Sequence, residues 1–416
     1  MKIIDANLKI IKDSRGKDTL EAELISEDFS AKASVPAGKS VGTHEAFVLE
    51  PKLALKKFEE IKSQILAASA SGRIETQEDL DNFLIALDGT SSTSSGQAKS
   101  NLGGNLILAL SLAWARLRAR FEGLELFEYI SQMSKVNGQM LNWPRPIFNV
   151  INGGAHAAHQ ESKLSFQEFQ VIPEADDFNL GFSLGKIFYR KLGDYLREKF
   201  GKENVVLGDE AGYSAPFKNN EEAIECIAEV IEKYKHPLRI GLDVAASQFF
   251  KEDHYLIGGK KYSSDELREY YLRLIETHNI ISIEDPFCEE AFDDFSALSN
   301  RIAANKKEIL IIADDLTTTN SERLKTAIAQ KSGNAILIKP NQIGTLTETL
   351  KVVKLAYENN WQTIVSHRSG ETLDDFIADL AVGVGAWGIK AGAPANPERL
   401  AKYERLLKIN NLKLKI

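Results

Sequence analysis

Cysteine is almost missing from this chain: Cys226 and Cys288 are the two among 416 residues. Two cysteines cannot staple a disulfide framework, so the expectation is a fold held by its own core in a reducing cytoplasm. No basic run occurs, and the net charge is −8. That argues against nucleic acid as the main partner while leaving a small anionic substrate open. Long apolar stretches are absent too. The longest, around Leu106 to Ala115, is too short to span a bilayer. Met1-Lys-Ile-Ile-Asp5 enters a strand-like pattern at once, without the look of a signal peptide. What remains, 43% hydrophobic and 26% charged, reads as a soluble globular chain long enough for two domains.

Residues from about 2 to 35 alternate apolar and polar around turns at Asp13-Ser-Arg-Gly16 and Ser26-Glu-Asp28, which predicts a small antiparallel meander. Val35-Pro-Ala-Gly-Lys-Ser-Val-Gly-Thr-His44 has no periodicity, and its composition suits a lid that closes over an anion. Helical patterns follow at Leu53 to Ala68, Gln77 to Leu87 and Leu106 to Phe121, with a Ser/Thr/Gly loop at Asp88 to Gly96. A boundary between Ser134 and Pro146 divides the chain into residues 1–136 and 137–416. Counting from Pro146 gives eight strand candidates, including Asn204 to Glu210. The first two have no helix between them, so a (β/α)8 barrel here would open with a hairpin, as ββαα(βα)6.

Four apolar runs end in a charge that an ordinary core strand would not carry: Arg239 to Asp243, Ile280 to Glu284, Ile309 to Asp314 and Ala335 to Lys339. They recur with helical patterns between them, as buried parallel strands do. In a barrel every such carboxyl end points to one shared face. Three carboxylates meeting there need a counter-charge, and a hard divalent cation is the usual one. Asp243, Glu284 and Asp314 therefore predict a magnesium site with Lys339 beside it.

Other motifs fall away. Gly383-Val-Gly-Ala-Trp-Gly388 matches the dinucleotide pattern, but a helix precedes it and a strand follows, the reverse of the required order. His44-Glu45 lacks the second His of a zinc protease, and Cys226 lies in a helical pattern as a core residue. His156, Glu168, Glu210, His367, Arg368, Ser369 and Lys390 fall at strand ends or in Gly-flanked turns. Arg368 beside Ser369 offers forked donors and a hydroxyl, a sensible phosphate clamp, with a buried structural arginine as the competing reading.

Read in series, Asp13-Ser-Arg-Gly16, Asn152-Gly-Gly-Ala-His156, Gln167-Glu-Phe169, Gly208-Asp-Glu210, Ser282-Ile-Glu-Asp-Pro286, Ala313-Asp-Asp-Leu-Thr317, Leu337-Ile-Lys-Pro-Asn-Gln-Ile-Gly344 and Ser366-His-Arg-Ser-Gly-Glu371 resemble the enolase family, in the family's order and over nearly the whole chain. The resemblance implies a barrel domain behind a smaller α+β domain. It implies a cytoplasmic homodimer that reversibly dehydrates 2-phosphoglycerate to phosphoenolpyruvate with two Mg²⁺, the second arriving with substrate. Asp243, Glu284 and Asp314 would hold the first ion, and Ser40 would hold the second. Lys339 would be the general base and Glu210 the general acid, assisted by Glu168. Arg368 and Ser369 would contact the phosphate, Lys390 the substrate carboxylate, and His156 and His367 would close on the substrate. A Lys or His base working with Mg²⁺ is the known pattern of the enolase superfamily.

Removing a proton next to a carboxylate builds a second negative charge, which bound cations stabilise. Lys339 must be neutral to act as a base, and crowding by Asp209 and Glu168 is expected to raise the Glu210 carboxyl. Departures from the family include Pro36-Ala-Gly-Lys-Ser-Val-Gly42 in place of Pro-Ser-Gly-Ala-Ser-Thr-Gly, a Ser-rich insertion at 91–96, and Ala391 in place of Thr. Two other readings explain part of the pattern. A relative acting on a non-phosphorylated acid leaves Arg368, Ser369 and Ser40 without a role. A non-catalytic scaffold leaves the gathered charges unexplained.

Overall fold

The computed structural model describes residues 1–39, 42–90, 98–134, 143–175 and 177–413. The chain begins with an antiparallel meander, β1 (Asp5–Lys12), β2 (Asp18–Ile25) and β3 (Ser30–Ser34). Four helices follow, α1 (Pro51–Ala70), α2 (Gln77–Asp88), α3 (Gly104–Phe121) and α4 (Leu126–Ser134). Thr76 and Asp79 form a capping box at the start of α2, and Gly89 ends it at φ +72°. α3 is apolar on nearly every side and is buried nearly throughout, packing on β2 and β3. α4 escapes sequence reading because nine residues give too few turns for a helical period to show. The Ser-rich insertion at 91–96 and most of the expected boundary at 134–146 lie outside the described residues.

The second part is a closed barrel. Its eight strands are β4 (Arg145–Asn152), β5 (Glu168–Pro173), β8 (Leu238–Asp243), β12 (Ile280–Glu284), β13 (Leu310–Ala313), β14 (Ala335–Ile338), β15 (Gln362–Ser366) and β16 (Gly388–Lys390), with β16 pairing back onto β4. β5 runs antiparallel to both neighbours, so the barrel does open with a hairpin. Two helices, α5 (Phe178–Phe200) and α6 (Asn220–Tyr234), lead into β8. Helices α7 (Ser264–Thr277), α8 (Phe292–Ala304), α9 (Ser321–Gln330), α11 (Leu346–Glu358), α12 (Phe376–Gly383) and α13 (Pro397–Lys413) then alternate with the later strands, and a short turn α10 (Pro340–Ile343) follows β14. A small hairpin group, β9 (Phe250–Lys251), β10 (His254–Ile257) and β11 (Lys260–Tyr262), sits between β8 and α7.

One strand expectation is corrected. The run at Asn204 to Glu210 contributes only β6 (Val206–Leu207), paired with β7 (Tyr213–Ser214) beside β4. Val206 and Leu207 are exposed, so their β-branched and apolar character does not place them in a barrel wall. The true eighth strand is β16, which follows α12 and so keeps the Gly383 to Gly388 motif in its reversed order. Inside the barrel Ile147, Ile172, Ile312, Ala335, Leu337 and Ile364 form their own apolar cluster, closing the interior as packed core beneath the site.

The two parts share one buried apolar cluster, with α4 packed on α12, and polar groups add to the junction. Arg116 on α3 donates to both carboxylate oxygens of Asp374, at 2.6 and 2.9 Å, and to Asp375 at 2.7 Å. The segment after β3 crosses the barrel face, with Ala37 and Gly370 exchanging backbone hydrogen bonds at 2.9 Å.

Candidate active site

The strand ends set the charges as the sequence suggests. Asp243 ends β8, Glu284 ends β12, Asp314 follows β13, Lys339 follows β14, His367 to Ser369 follow β15, and Lys390 ends β16. Glu168 begins its strand instead. Because β5 is antiparallel, with Glu168 opposite Asp243, that beginning lies on the same face. One cleft is lined by His156, Glu168, Glu210, Asp243, Asp314, Lys339, His367, Arg368, Ser369 and Lys390. Ser40 lies outside the described residues.

The carboxylates converge on two ammonium groups. Lys390 Nζ lies 2.8 Å from Asp243, 2.9 Å from Glu284 and 3.0 Å from Glu168. Lys339 Nζ is paired with Asp314. The expected trio is thus divided between two lysines. Among the described residues the tightest groupings of candidate ligand atoms, all within 4.8 Å of one another, are His156–Glu168–Glu210 and Asp285–Asp314–Asp315. Asp285 is committed elsewhere: its two oxygens accept the backbone N–H groups of Asp314 at 3.0 Å and Asp315 at 2.8 Å.

Four buried carboxylates against two lysines leave a deficit of two positive charges. The deficit shows in protonation. Burial, with Asp243 beside it, pushes the Glu284 carboxyl well above the ordinary carboxylate value. Burial and Asp314 raise Asp315 to about 7. Hard oxygen donors short of positive charge fit a divalent cation, so these residues could hold a metal. Burial would lower Lys339, but Asp314 outweighs it and holds the amine above its ordinary value. The chain alone therefore keeps Lys339 protonated.

At the other side, Glu210 meets His367 Nε2 at 3.3 Å, His156 Nδ1 at 3.8 Å and Asn149 Nδ2 at 3.1 Å. Arg399 Nη1 donates to His367 Nδ1 at 2.5 Å. Because Arg cannot accept, Nδ1 is the acceptor and the ring proton sits on Nε2, facing Glu210. Burial, reinforced by Arg399, lowers His367 to about 4. Burial would raise Glu210, but His367, His156 and Arg399 override it and hold its carboxyl well below the usual range. Burial and the adjacent Glu210 raise Glu168 instead. The expected rise at Glu210 is corrected on this point. Sequence showed the neighbouring acids but not the two rings and the guanidinium.

Glycines place Glu210. A Cβ on Gly212 would lie 2.4 Å from Asn152 Oδ1, and one on Gly208 would lie 2.8 Å from the same atom. Only glycine lets the loop press that closely. Ala211, immediately after Glu210, adopts φ +64°, a strained conformation for a residue with a Cβ.

Arg368 is buried and bound by Glu45, Nη1 to Oε2 at 2.8 Å and Nη2 to Oε1 at 3.0 Å, with Asn341 Oδ1 at 3.2 Å. Ser369 Oγ accepts from Arg15 at 3.3 Å. Lys39 Nζ reaches Asp209 at 2.9 Å and the Ala155 carbonyl at 3.0 Å. Sequence reading missed Arg399, Asn149 and Glu45 as members of this site. Arg399 lies in an ordinary charged helix and Asn149 inside an apolar strand, and neither carries a local signal. Glu45 stood in view beside His44, but was weighed only as part of a metal motif.

Two family models match: the enolase N-terminal domain over residues 3–130 and the enolase C-terminal TIM barrel domain over residues 140–414. The chain belongs to the enolase family. The enolase of Methanocaldococcus jannaschii is 39% identical over 98% of this chain and 95% of its own length. Enolases of Methanococcoides burtonii and Methanosarcina barkeri are 40% and 38% identical, over 96% and 98% of this chain and 92% and 94% of their own lengths. Membership makes the protein a lyase, built on the enolase pair of an N-terminal domain and a TIM barrel. Among the described residues no helix is long and apolar enough to cross a membrane.

Proposed function

We propose that this enolase-family chain reversibly dehydrates 2-phosphoglycerate to phosphoenolpyruvate, as a cytoplasmic homodimer serving glycolysis and gluconeogenesis. The observation that carries the reading is a single cleft that holds an amine, Lys339, a cluster of carboxylates, and Arg368 with Ser369. A non-phosphorylated substrate would leave that last pair with only its structural partners, Glu45 and Arg15.

Asp243, Glu284 and Asp314 are proposed to hold the first Mg²⁺, and Ser40 the second, which enters with substrate. Bound Mg²⁺ supplies Lewis-acid stabilisation of the negative charge that builds on the substrate carboxylate. Lys339 Nζ removes the proton from the carbon next to that carboxylate. Its present pairing with Asp314 keeps it charged, so its role as base requires that pairing to be relieved, as it would be if Asp314 served as a metal ligand. Lys390 Nζ, now shared by three carboxylates, is the proposed contact for the substrate carboxylate once some of those acids are taken up by a metal. Arg368 and Ser369 take the phosphate.

Glu210 is the proposed acid that lets the hydroxyl depart, and because its neighbours keep its carboxyl ionised in the free site it must first take up a proton. The raised Glu168 carboxyl within the same His156 cluster is a proton store beside it. His367, neutral and donating through Nε2, orients the Glu210 carboxylate.

A spectrophotometric assay on 2-phosphoglycerate with and without Mg²⁺ tests this reading. Turnover that requires Mg²⁺ is expected, and none at saturating metal overturns the reading. Glu210→Gln should still exchange the C2 proton with solvent but dehydrate at least about 10²–10⁴-fold more slowly. Lys339→Ala should lose both reactions. Loss of exchange in Glu210→Gln would reverse the assignment of acid and base.

A further inference from the structure

We propose that Glu45 is a positioning residue for the phosphate end of the site. It aims the Arg368 guanidinium and ties that aim to the loop at Gly42. The inference rests on the reading of Arg368 as a phosphate contact.

Glu45 is 3% exposed and Arg368 is 6% exposed. The two pair through parallel bonds of 2.8 and 3.0 Å, the fork-on-fork arrangement that fixes the plane of a guanidinium as well as its place. Asn341 Oδ1, at 3.2 Å from Nη1, adds an acceptor on the same nitrogen. The backbone of this short stretch is itself pinned. Glu45 N–H donates to the Gly42 carbonyl at 3.2 Å, and the next residue, Ala46, donates to the Gln342 carbonyl at 2.7 Å. Glu45 Oε1 also accepts the Gly42 N–H at 3.0 Å. The carboxylate is therefore a fixed object: Oε2 accepts from Arg368, and Oε1 is shared between Arg368 and the Gly42 N–H. His44 takes no part, since its Nε2 lies between Glu290 at 2.7 Å and Arg323 at 2.8 Å, away from Arg368.

Two effects of Glu45 on a phosphate oppose each other. Its negative charge repels the dianion, while its geometry presents the Arg368 donors in one orientation. Geometry is the larger effect, because misplacing a binding group by about 1 Å can cost roughly 10²-fold. Without Glu45, the acids near Arg368, Asp314 and Asp315, offer the guanidinium competing directions.

The test uses the full chain loaded with Mg²⁺. Glu45→Gln keeps the size but replaces one accepting oxygen with an N–H donor, so the two-bond fork on Arg368 is lost along with the charge. It should raise KM for 2-phosphoglycerate roughly 10- to 100-fold with a smaller change in kcat. It should also blunt the rise in melting temperature caused by inorganic phosphate, a readout that needs no turnover. Glu45→Asp, which keeps both oxygens, should recover part of each. In an Arg368→Gln background Glu45→Gln should add nothing. Tighter phosphate binding in Glu45→Gln would show that Glu45 only offsets charge and would overturn the inference, as would an equal effect with Arg368 absent. If Glu45→Gln fails to fold by circular dichroism, an unchanged KM in Glu45→Asp overturns it. If wild type binds phosphate and loses that binding in Glu45→Gln, yet turns over no 2-phosphoglycerate, the proposed reaction falls and the Glu45–Arg368 pairing stands.

Discussion

Lys390 faces three carboxylates at once in the site. It is buried, and Asp243, Glu168 and Glu284 overcome the cost of that burial to hold its pKa well above the ordinary lysine value. Lys390→Met would leave three buried acids without their shared counter-charge. Breaking buried pairs of this kind costs about 3–5 kcal/mol, so the metal-free variant should melt well below wild type. Mg²⁺ should recover part of the loss, because a divalent cation can take the place of the missing ammonium. Differential scanning calorimetry in EDTA and in Mg²⁺ reads both effects. An equal loss in the two conditions would mean that Lys390 supports packing more than charge. The identity of Lys390 was legible in the sequence, since it ends a short strand. Its pairing with Glu168 was not, because Glu168 comes from an antiparallel strand whose direction only pairing with Asp243 reveals.

Among the elements, α2 holds a titratable contact against the barrel. Asp81 is fully buried, accepts Gln77 Nε2 at 3.1 Å on its own helix, and accepts the backbone N–H of Thr347 at the start of α11 at 2.9 Å. Burial, only partly offset by hydrogen bonds from Thr347, Ser111 and Gln77, raises its carboxyl from 3.8 to about 6. The folded chain keeps this proton up to about 6, whereas the unfolded chain releases it near 3.8. Folding therefore takes up a proton in that window, and stability falls as pH rises through it and is level above. The shift corresponds to roughly 3 kcal/mol at most. Asp81→Asn should remove this slope, seen as a smaller drop in urea midpoint between pH 4 and pH 7 than in wild type. An unchanged slope would place the titration elsewhere. Elements also mark where periodicity succeeds and fails. α3 was legible from its apolar run. The Asn204 to Glu210 segment read as a barrel strand because apolarity alone cannot tell a wall strand from an exposed rim hairpin.

For the whole molecule, the metal should act as a stability ligand that ties the strand ends together. An ion held by Asp243, Glu284 and Asp314 would join β8, β12 and the end of β13, which are neighbours in the sheet. At about 100 times its Kd, such an ion adds roughly 2.7 kcal/mol. The melting temperature should fall on EDTA treatment and recover with Mg²⁺, and Asp243→Asn should lose most of the difference. A melting temperature indifferent to both would deny the chain this site. The sequence by itself determined the strand-end charges, the hairpin opening of the barrel and the family, because period and motif are local properties that one stretch of chain can carry. The tertiary structure decided which charges face each other: Asp314 on Lys339, three acids on Lys390, two histidines and Arg399 around Glu210, and Glu45 on Arg368. Those pairings join residues tens to hundreds of positions apart. The strength of each depends on distance and burial, which no local pattern encodes.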